Sequence, residues 1–156
     1  MDARARTIRN ILYSGDQYLV PFFQRRYAWK KEHWSRLWDD LWLLLEGGSD
    51  RQHFLGPLVC TPERTVPGEL PRYLLIDGQQ RLTTLSVVLV ALRDVAREYG
   101  QAELAAEIHE DYLTHKRKTD LQHYKVLPHV EDRAVLTGLI DGDVPADDRK
   151  SGIYRA

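Results

Sequence analysis

An apolar strand that runs directly into an Asp-Gly turn and a long helix is the feature that most constrains this chain. Residues 72–76 (RYLLI) are typical of a buried strand, and residues 77–81 (DGQQR) follow them without a linker. Beyond the turn, apolar side chains recur at helical spacing. Those predicted to line one helix face are Leu82, Leu85, Leu89, Leu92 and Ala96. The turn therefore lies at a helix N-terminus, where unpaired N–H groups and the helix dipole attract anions.

Each position of this turn has a chemistry that suits a phosphate group. Asp77 is predicted to be the N-cap, with a carboxylate that accepts backbone N–H bonds. Gly78 lets the backbone approach a ligand closely. Arg81 offers a two-pronged guanidinium, and Gln79 and Gln80 add uncharged donors. The same residues also suit an ordinary capped helix, so the turn by itself favours neither a phosphate site nor a plain helix start.

A second unusual segment follows a predicted strand and leads into a tryptophan-rich helix, which is predicted at residues 32–46. Its sequence is PFFQRRYAW, residues 21–29, in which arginines lie among aromatic side chains. Arginine beside stacking rings is a combination that binds nucleotides and unpaired bases. We expect Gln24 and Arg25 to have such a binding role. For the aromatic residues, anchoring of the loop to the core is the favoured interpretation; they are Phe22, Phe23, Tyr27 and Trp29.

The rest of the pattern mixes short helices and strands. Further helices are predicted at residues 8–12, 104–112 and 135–140, and further strands at residues 17–20, 54–60 and 122–127. The strand at residues 54–60 contains Gly56-Pro57, so it is expected to be irregular or to lie at an edge of the sheet. Helices outnumber strands in a mixed order, so we predict an α+β fold, a small mixed sheet flanked by helices. Residues 1–144 are predicted to form one domain. The polar residues 145–156 are predicted to be a tail or the start of a linker.

Composition excludes several classes of protein. The chain has 156 residues, 43% hydrophobic and 29% charged, which fits one globular domain and neither a disordered tail nor a disulfide miniprotein. Its single cysteine, Cys60, can form no intrachain disulfide, and the charged N-terminus lacks the apolar core of a signal peptide. No apolar stretch approaches the roughly 20 residues of a membrane span. We therefore expect a cytoplasmic protein with no membrane partner.

The charges are unevenly distributed, which bears on nucleic-acid binding. The net charge is −1, but residues 1–36 carry eight basic and three acidic side chains, and residues 116–118 are all basic. Such basic surfaces can face DNA phosphates. The alternatives are a solvated surface and charges that complement a helix C-terminus. The candidate DNA-facing residues are Phe23, Arg26, Tyr27, Lys30, Lys31, Lys116, Arg117 and Lys118.

The motifs follow one another in an order that resembles a known family. YLVPFFQRRYAW, LWDDL, HFLGPLV and LLIDGQQRLTTL occur as in the N-terminal domain of GmrSD-type modification-dependent restriction proteins, to which the phosphorothioate-sensing Ssp nuclease is closely related. The resemblance covers about residues 5–140. More remotely, the chain is similar to the ParB/sulfiredoxin superfamily, in which a glycine–x–x–arginine turn at a helix start holds nucleotide phosphates.

The resemblance implies an NTP-hydrolysing sensor domain of an antiphage restriction system, with GTP as the favoured nucleotide. It would couple recognition of modified DNA to an HNH nuclease domain, C-terminal and outside this chain. Carried over by position, the nucleotide-binding residues would be Gln24, Arg25, Gly78, Gln79, Gln80 and Arg81. Asp77 and Arg81 would be catalytic, with Asp77 orienting the turn or a metal-bound water. Mg²⁺ is the candidate metal, and its protein ligands are unassigned.

Two other activities were weighed against this hypothesis. A sulfiredoxin-type reductase is not implied, because Gln79 occupies the position of the catalytic cysteine and Cys60 lies on a predicted strand elsewhere. The alternative in a different class is a module that binds DNA or a protein without hydrolysing a nucleotide. Phosphate release that depends on Arg81 would separate the two. No oligomeric state follows from the sequence.

Overall fold

A four-stranded mixed sheet lies at the centre of the computed structural model, which describes residues 4–47 and 52–156. Its strands are β1 (Gln17–Leu19), β2 (Val59–Pro62), β3 (Arg72–Asp77) and β4 (Val126–Leu127). They lie in the order β2-β3-β1-β4. The central strand β1 is parallel to both β3 and β4, whereas β2 is antiparallel to β3.

Helices flank this sheet, which confirms the predicted α+β class. The helices are α1 (Ile8–Leu12), α2 (Lys31–Glu46), α3 (Gln79–Glu98), α4 (Ala102–Glu107), α5 (Arg133–Asp141) and α6 (Gly152–Arg155). A π-helical turn, Ile108–Leu113, continues α4, and 3-10 turns lie at Asp120–His123, Val130–Asp132 and Ala146–Lys150. Within the described ranges, none of these helices has the length and apolar character needed to cross a membrane.

Helix α3 is held by two apolar clusters, and this fixes the position of its N-terminus. In the first cluster, Leu82 is fully buried against Leu75 of β3 and Val126 of β4. In the second, Val90 packs with residues of the C-terminal helices such as Leu136. Each buried Leu or Val side chain contributes about 1.5–3 kcal/mol of transfer free energy. The turn at the start of α3 is therefore attached to the best-packed part of the domain.

Only the last two residues of the strand predicted at residues 54–60 belong to a strand, and this strand, β2, lies at the edge of the sheet, as the Gly56-Pro57 pair indicated. Residues 52–58 have no regular structure, and β2 begins only at Val59. Gly56 has a φ of +97°, a left-handed conformation that a strand does not contain. The predicted helix face on α3 is also only partly buried, because Leu92 is 48% exposed.

The C-terminal segment differs from the expected tail or linker at residues 145–156. It forms a 3-10 turn and α6, and Ile153 on α6 is fully buried in the second apolar cluster. The ring of Tyr27 packs against the same cluster, close to Gly152. Ile153 thus anchors an otherwise polar segment to the core. The packed domain therefore extends at least to Ile153.

Candidate functional site

Loops from all four strands meet at one edge of the sheet. The strands β1, β3 and β4 are parallel, so the loops that follow them leave at the same edge. These are residues 20–30, residues 77–81 and residues 128–132. Since β2 is antiparallel to β3, the segment that precedes it, residues 52–58, lies there too. Ligands of open sheets commonly bind outside the carboxyl ends of the parallel strands.

A cavity of about 410 Å³ opens at this edge, between the loop after β1 and the start of α3. Its volume falls within the roughly 300–1,000 Å³ of small-molecule sites. It is lined by Gln24, Arg25, Trp29, Ile76, Asp77, Gly78, Gln79, Gln80 and Arg81. The structure thus brings together the two sequence motifs that were singled out, although more than 50 positions separate them. All the residues predicted to bind the nucleotide line this cavity.

The start of α3 differs in one detail from the prediction. Gly78, and not Asp77, is the N-cap, with φ +88° and ψ 4°. Asp77 is the last residue of β3, and its Oδ1 accepts the Gly78 N–H at 2.7 Å. A Cβ at Gly78 would lie 2.8 Å from Leu58 Cδ1, so this position needs glycine for both its conformation and its space.

The first turn of α3 presents unpaired donors to the cavity. The first intrahelical hydrogen bond of α3 runs from the Leu82 N–H to the Gly78 carbonyl, at 3.0 Å. The N–H groups of Gln79, Gln80 and Arg81 precede it and have no intrahelical acceptor. Together with the helix dipole they make this end of the cavity favourable for an anion.

The Gln80 side chain holds the loop after β1 in place. Its Oε1 accepts the Ala28 N–H at 2.8 Å, and its Nε2 donates to the Arg26 carbonyl at 3.1 Å. Gln79 Nε2 donates to the Arg25 carbonyl at a longer 3.3 Å. Both glutamines are 7% exposed. The amides that the sequence suggested as ligand donors therefore also attach one motif to the other.

Arg81 is engaged with the segment before β2. Its Nη1 donates to the Leu55 carbonyl and its Nη2 to the Pro57 carbonyl, each at 2.6 Å. A Cβ on the intervening Gly56 would collide with the Arg81 guanidinium. The Gly-Pro pair in the HFLGPLV motif thus allows the chain to wrap around this side chain. Arg81 lines the cavity, but both terminal nitrogens already have acceptors.

Arg25 is the guanidinium at the cavity that has no such partner. Its side chain has no hydrogen bond or ion pair to any residue in the described ranges 4–47 and 52–156, and the residue is exposed. Gln24 lies beside it and donates from Nε2 to the Ile76 carbonyl at 3.2 Å. The cavity therefore offers an anion two guanidinium groups: that of Arg25, which is free, and that of Arg81, which already donates to the Leu55 and Pro57 carbonyls.

Tyr27 anchors the loop to the core, as the favoured interpretation of the aromatic residues expected. The indole Nε1–H of Trp34 donates to the Tyr27 hydroxyl at 2.8 Å, which in turn donates to Thr84 Oγ1 at 2.7 Å. Thr84 donates to the Gln80 carbonyl at 2.8 Å. Burial raises the pKa of Tyr27, so its hydroxyl stays a donor. This placement leaves little of Tyr27 to contact DNA.

Phe22 and Phe23 differ from that interpretation, because they do not anchor the loop. They are 81% and 64% exposed, and their rings form an edge-to-face pair with centroids 5.5 Å apart. The buried His129 holds the backbone of this loop: its Nε2 forms a hydrogen bond of 3.1 Å with the Phe22 carbonyl. Because His129 Nδ1 accepts the Glu131 N–H, Nε2 carries the proton in that bond. Trp29 is half-buried and stacks on His33.

The predicted DNA-facing cations fall into two groups that lie apart. Lys30 and Lys31 are exposed at the start of α2, near the cavity loop. Arg26 is neutralised by Glu131 and by the buried Asp132, at 2.9 and 3.1 Å.

The basic run at residues 116–118 does not lie beside the cavity, so the candidate DNA-facing residues do not form one continuous surface. It belongs to the segment that leads into β4, whose Lys125 donates to the Ser14 carbonyl ahead of β1. That segment therefore lies at the opposite edge of the sheet. Lys116 is also paired there, with Glu110 and Asp111 at 3.1 Å each.

The roles of two residues at the site were not predicted from the sequence: Ile76 lines the cavity, and Gly56 packs against the cavity residue Arg81. Ile76 was predicted only as the last residue of the strand at residues 72–76. A residue at that position lies next to the following turn, and this was the signal for its place in the cavity. Gly56 was assigned to an irregular or edge strand because of the Gly-Pro dipeptide, and it lies ahead of β2 in a segment without regular structure. Its partner Arg81 is distant in sequence, so their contact could not be inferred from either segment alone.

Comparison with known proteins gives one match of nearly full length. The family model described as the N-terminal domain of the GmrSD restriction endonuclease matches residues 8–153. No curated protein matches the chain. The matched range includes every residue that lines the cavity and also the buried Ile153 on α6.

Proposed function

We propose that this chain, which belongs to the GmrSD restriction endonuclease N-terminal-domain family, binds and hydrolyses a nucleoside triphosphate in its cavity. GTP is the favoured substrate. The observation that carries the proposal is that the free guanidinium of Arg25 and the unpaired N–H groups at the start of α3 belong to residues lining one cavity. A guanidinium fork and a helix N-terminus are two independent recognition elements for phosphate.

The phosphate chain would lie over Gly78, where the absence of a side chain allows close approach. Backbone N–H groups of Gln79, Gln80 and Arg81 would bind its oxygens, with Arg25 closing the other side. Arg81 remains a predicted contact through the N–H bonds that Leu55 and Pro57 do not use. Trp29 and Ile76 add apolar surface in the same cavity, which suits a base or ribose.

Asp77 is the residue that we propose to orient the reacting water. Its Oδ1 accepts the Gly78 N–H, which leaves Oδ2 available at the cavity rim. In hydrolysis, water attacks the γ-phosphorus, the bond to the bridging oxygen breaks, and GDP and inorganic phosphate leave. A carboxylate that holds this water supplies orientation, which is much of what phosphoryl transfer requires.

The donor set fits Mg²⁺ that is bound together with the nucleotide. Mg²⁺ takes oxygen ligands and is usually held by one or two carboxylates plus substrate phosphates. Among the residues that the structure describes, Asp77 is the one carboxylate that lines the cavity. No group of three or more His, Cys, Asp or Glu side chains placed to hold a metal occurs in residues 4–47 and 52–156. Asp77 would therefore hold the ion, which would neutralise phosphate charge.

Steady-state phosphate release from GTP tests the enzymatic proposal. Arg25→Ala removes the free phosphate contact and is expected to lower kcat/KM by roughly 10- to 100-fold, the value of a charge-assisted hydrogen bond. Arg36→Ala is the matched control, because it removes an exposed arginine of α2 that does not line the cavity. Equal rates for both variants and the wild type would exclude the cavity as the site of hydrolysis.

We also propose that nucleotide turnover is coupled to recognition of modified DNA and to an HNH nuclease domain in the same restriction system. The support is the family membership, the exposed Phe22–Phe23 pair, and the exposed Lys30 and Lys31 that follow it in the chain. A phosphorothioate sulfur is larger, softer and a poorer hydrogen-bond acceptor than oxygen, so an apolar contact would favour it. Lysines would supply a weak, salt-dependent affinity for any duplex.

Competition between modified and unmodified duplexes of one sequence tests that contact. At moderate salt the modified duplex should bind more tightly, and Phe23→Ala should remove the preference while leaving the general affinity in place. Tyr99→Ala is the control, since Tyr99 is 78% exposed on a different part of the surface. Equal binding of the two duplexes by the wild type would contradict a role for Phe22 and Phe23.

A binding module without turnover is the second candidate, and one observation favours it. Gln80 and Arg81 donate to backbone carbonyls of neighbouring loops, so the DGQQR turn already has a structural role without a nucleotide. This candidate predicts ligand or DNA binding with no phosphate release from GTP in the wild type. The same release assay therefore separates the two functions.

A further inference from the structure

The Gln79 amide leaves one buried acceptor without a partner next to the cavity. Its Oε1 has no hydrogen bond to any residue of the described ranges, although the side chain is only 7% exposed. A buried polar atom without a partner carries a desolvation penalty that a bound group can remove. Gln79 lines the 410 Å³ cavity and also a second, narrow pocket.

The orientation of this amide is defined by a weak contact. Nε2 donates to the Arg25 carbonyl at 3.3 Å, near the long limit of an N–H···O bond. This contact identifies the other atom as the oxygen. The last torsion of a glutamine side chain has a broad energy profile. A turn about that torsion gives up only the long contact to the Arg25 carbonyl, so Oε1 is able to reorient towards a donor on a bound ligand.

We propose that Gln79 Oε1 accepts a hydrogen bond from an N–H or O–H group of the ligand, and that Gln79 thereby determines specificity. The inference rests on the proposed nucleotide site. Phosphate groups offer acceptors, which suit the N–H groups of α3 and the Arg25 guanidinium, but they cannot satisfy an acceptor. The ligand class is therefore a phosphate-bearing molecule that also carries a hydrogen-bond donor, such as a ribonucleotide. Inorganic polyphosphate lacks that donor.

Neighbouring amides are less suited to this role. Gln80 is buried to the same degree, but its Oε1 accepts the Ala28 N–H and its Nε2 donates to Arg26. Gln24 is only partly buried, and its Nε2 donates to Ile76. Gln79 is thus the cavity residue where a donor on the ligand gains most, since the alternative is an unpaired buried oxygen.

Titration calorimetry of the full chain with GTP and with inorganic triphosphate, each with Mg²⁺, tests the inference. Gln79→Met keeps the length of the side chain and removes its acceptor. It should weaken GTP binding by roughly tenfold while changing the triphosphate affinity by less than about twofold. Gln101→Met, an exposed position outside the cavity, is the control and should change neither affinity. Thermal melting shows whether each variant is folded.

The outcomes separate this inference from the function on which it rests. Equal weakening of GTP and triphosphate by Gln79→Met, or no weakening of either, overturns the role of Oε1 while the nucleotide site stands. A wild type that binds neither ligand overturns both. To identify the donor, 2′-deoxy-GTP and inosine triphosphate are titrated as well: the analogue that lacks the paired group should be insensitive to Gln79→Met.

Discussion

Gly56→Ala should lower the free energy of unfolding for two reasons, a conformational one and a steric one. Gly56 has φ +97°, and an alanine in the left-handed region costs about 1–2 kcal/mol. The added Cβ also overlaps the Arg81 guanidinium, which must then leave the Leu55 and Pro57 carbonyls. Because Arg81 is partly exposed, water replaces some of that interaction, and we assign about 1–2 kcal/mol to it. The free energy of unfolding should fall by about 2–4 kcal/mol.

Two other glycines supply controls that isolate the backbone part. Gly68 has φ +92°, and a Cβ there has nothing within 4 Å. Gly68→Ala should therefore cost only the conformational part, about 1–2 kcal/mol. Gly15 has no positive φ and equally open space, so Gly15→Ala should be neutral or stabilising by up to about 1 kcal/mol. Urea denaturation measures all three free energies of unfolding.

A double-mutant cycle then tests the contact itself. With Arg81→Ala in the background, Gly56→Ala should cost only what Gly68→Ala costs, so that the two mutations couple by about 1 kcal/mol or more. Additive effects of Gly56→Ala and Arg81→Ala would refute the argument. So would a Gly56→Ala variant that is no less stable than Gly68→Ala.

Three further predictions concern other parts of the domain. Tyr27→Phe interrupts the hydrogen-bond chain to Thr84 and should lower the stability measured in urea by about 1–2 kcal/mol. Tyr99→Phe, at a ring that is 78% exposed, is the control, and an equal loss of stability there would contradict this prediction. Ile153→Ala should destabilise by about 2–5 kcal/mol because the side chain is fully buried; unchanged stability would mean that residues 145–156 are a tail after all. Burial, with a smaller effect from Lys125, lowers the pKa of His115 from 6.5 to about 4. The folded state therefore binds this proton less tightly than the unfolded state, so stability is full above pH 6.5 and falls towards pH 4. His115→Gln should flatten that decline, and an unchanged pH profile would count against it.

Local sequence patterns predicted the elements around the site because those patterns depend on neighbours in the chain. The apolar run at residues 72–76 and the leucine spacing after residue 81 gave β3, α3 and the turn between them. The predicted proximity of Gln24 and Arg25 to Gly78 followed from the family resemblance, and the cavity contains all three.

The side-chain partners at the site could not be predicted, because they are separated in sequence. Gln80 contacts the loop at Ala28, and Arg81 contacts Leu55 and Pro57. The sequence shows which hydrogen bonds such side chains are able to donate, but it does not show where in the fold their acceptors lie. The tail predicted at residues 145–156 failed for a related reason: Ile153 is one apolar residue in a polar segment, and only the folded cluster gives it a partner.

A crystal structure of the chain with a non-hydrolysable GTP analogue and Mg²⁺ tests the central claim most directly. We expect a triphosphate over Gly78, with its oxygens within hydrogen-bond distance of the N–H groups of Gln79, Gln80 and Arg81 and of the Arg25 guanidinium. An empty cavity at a saturating concentration of the analogue, or phosphates bound at another place on the domain, would contradict it.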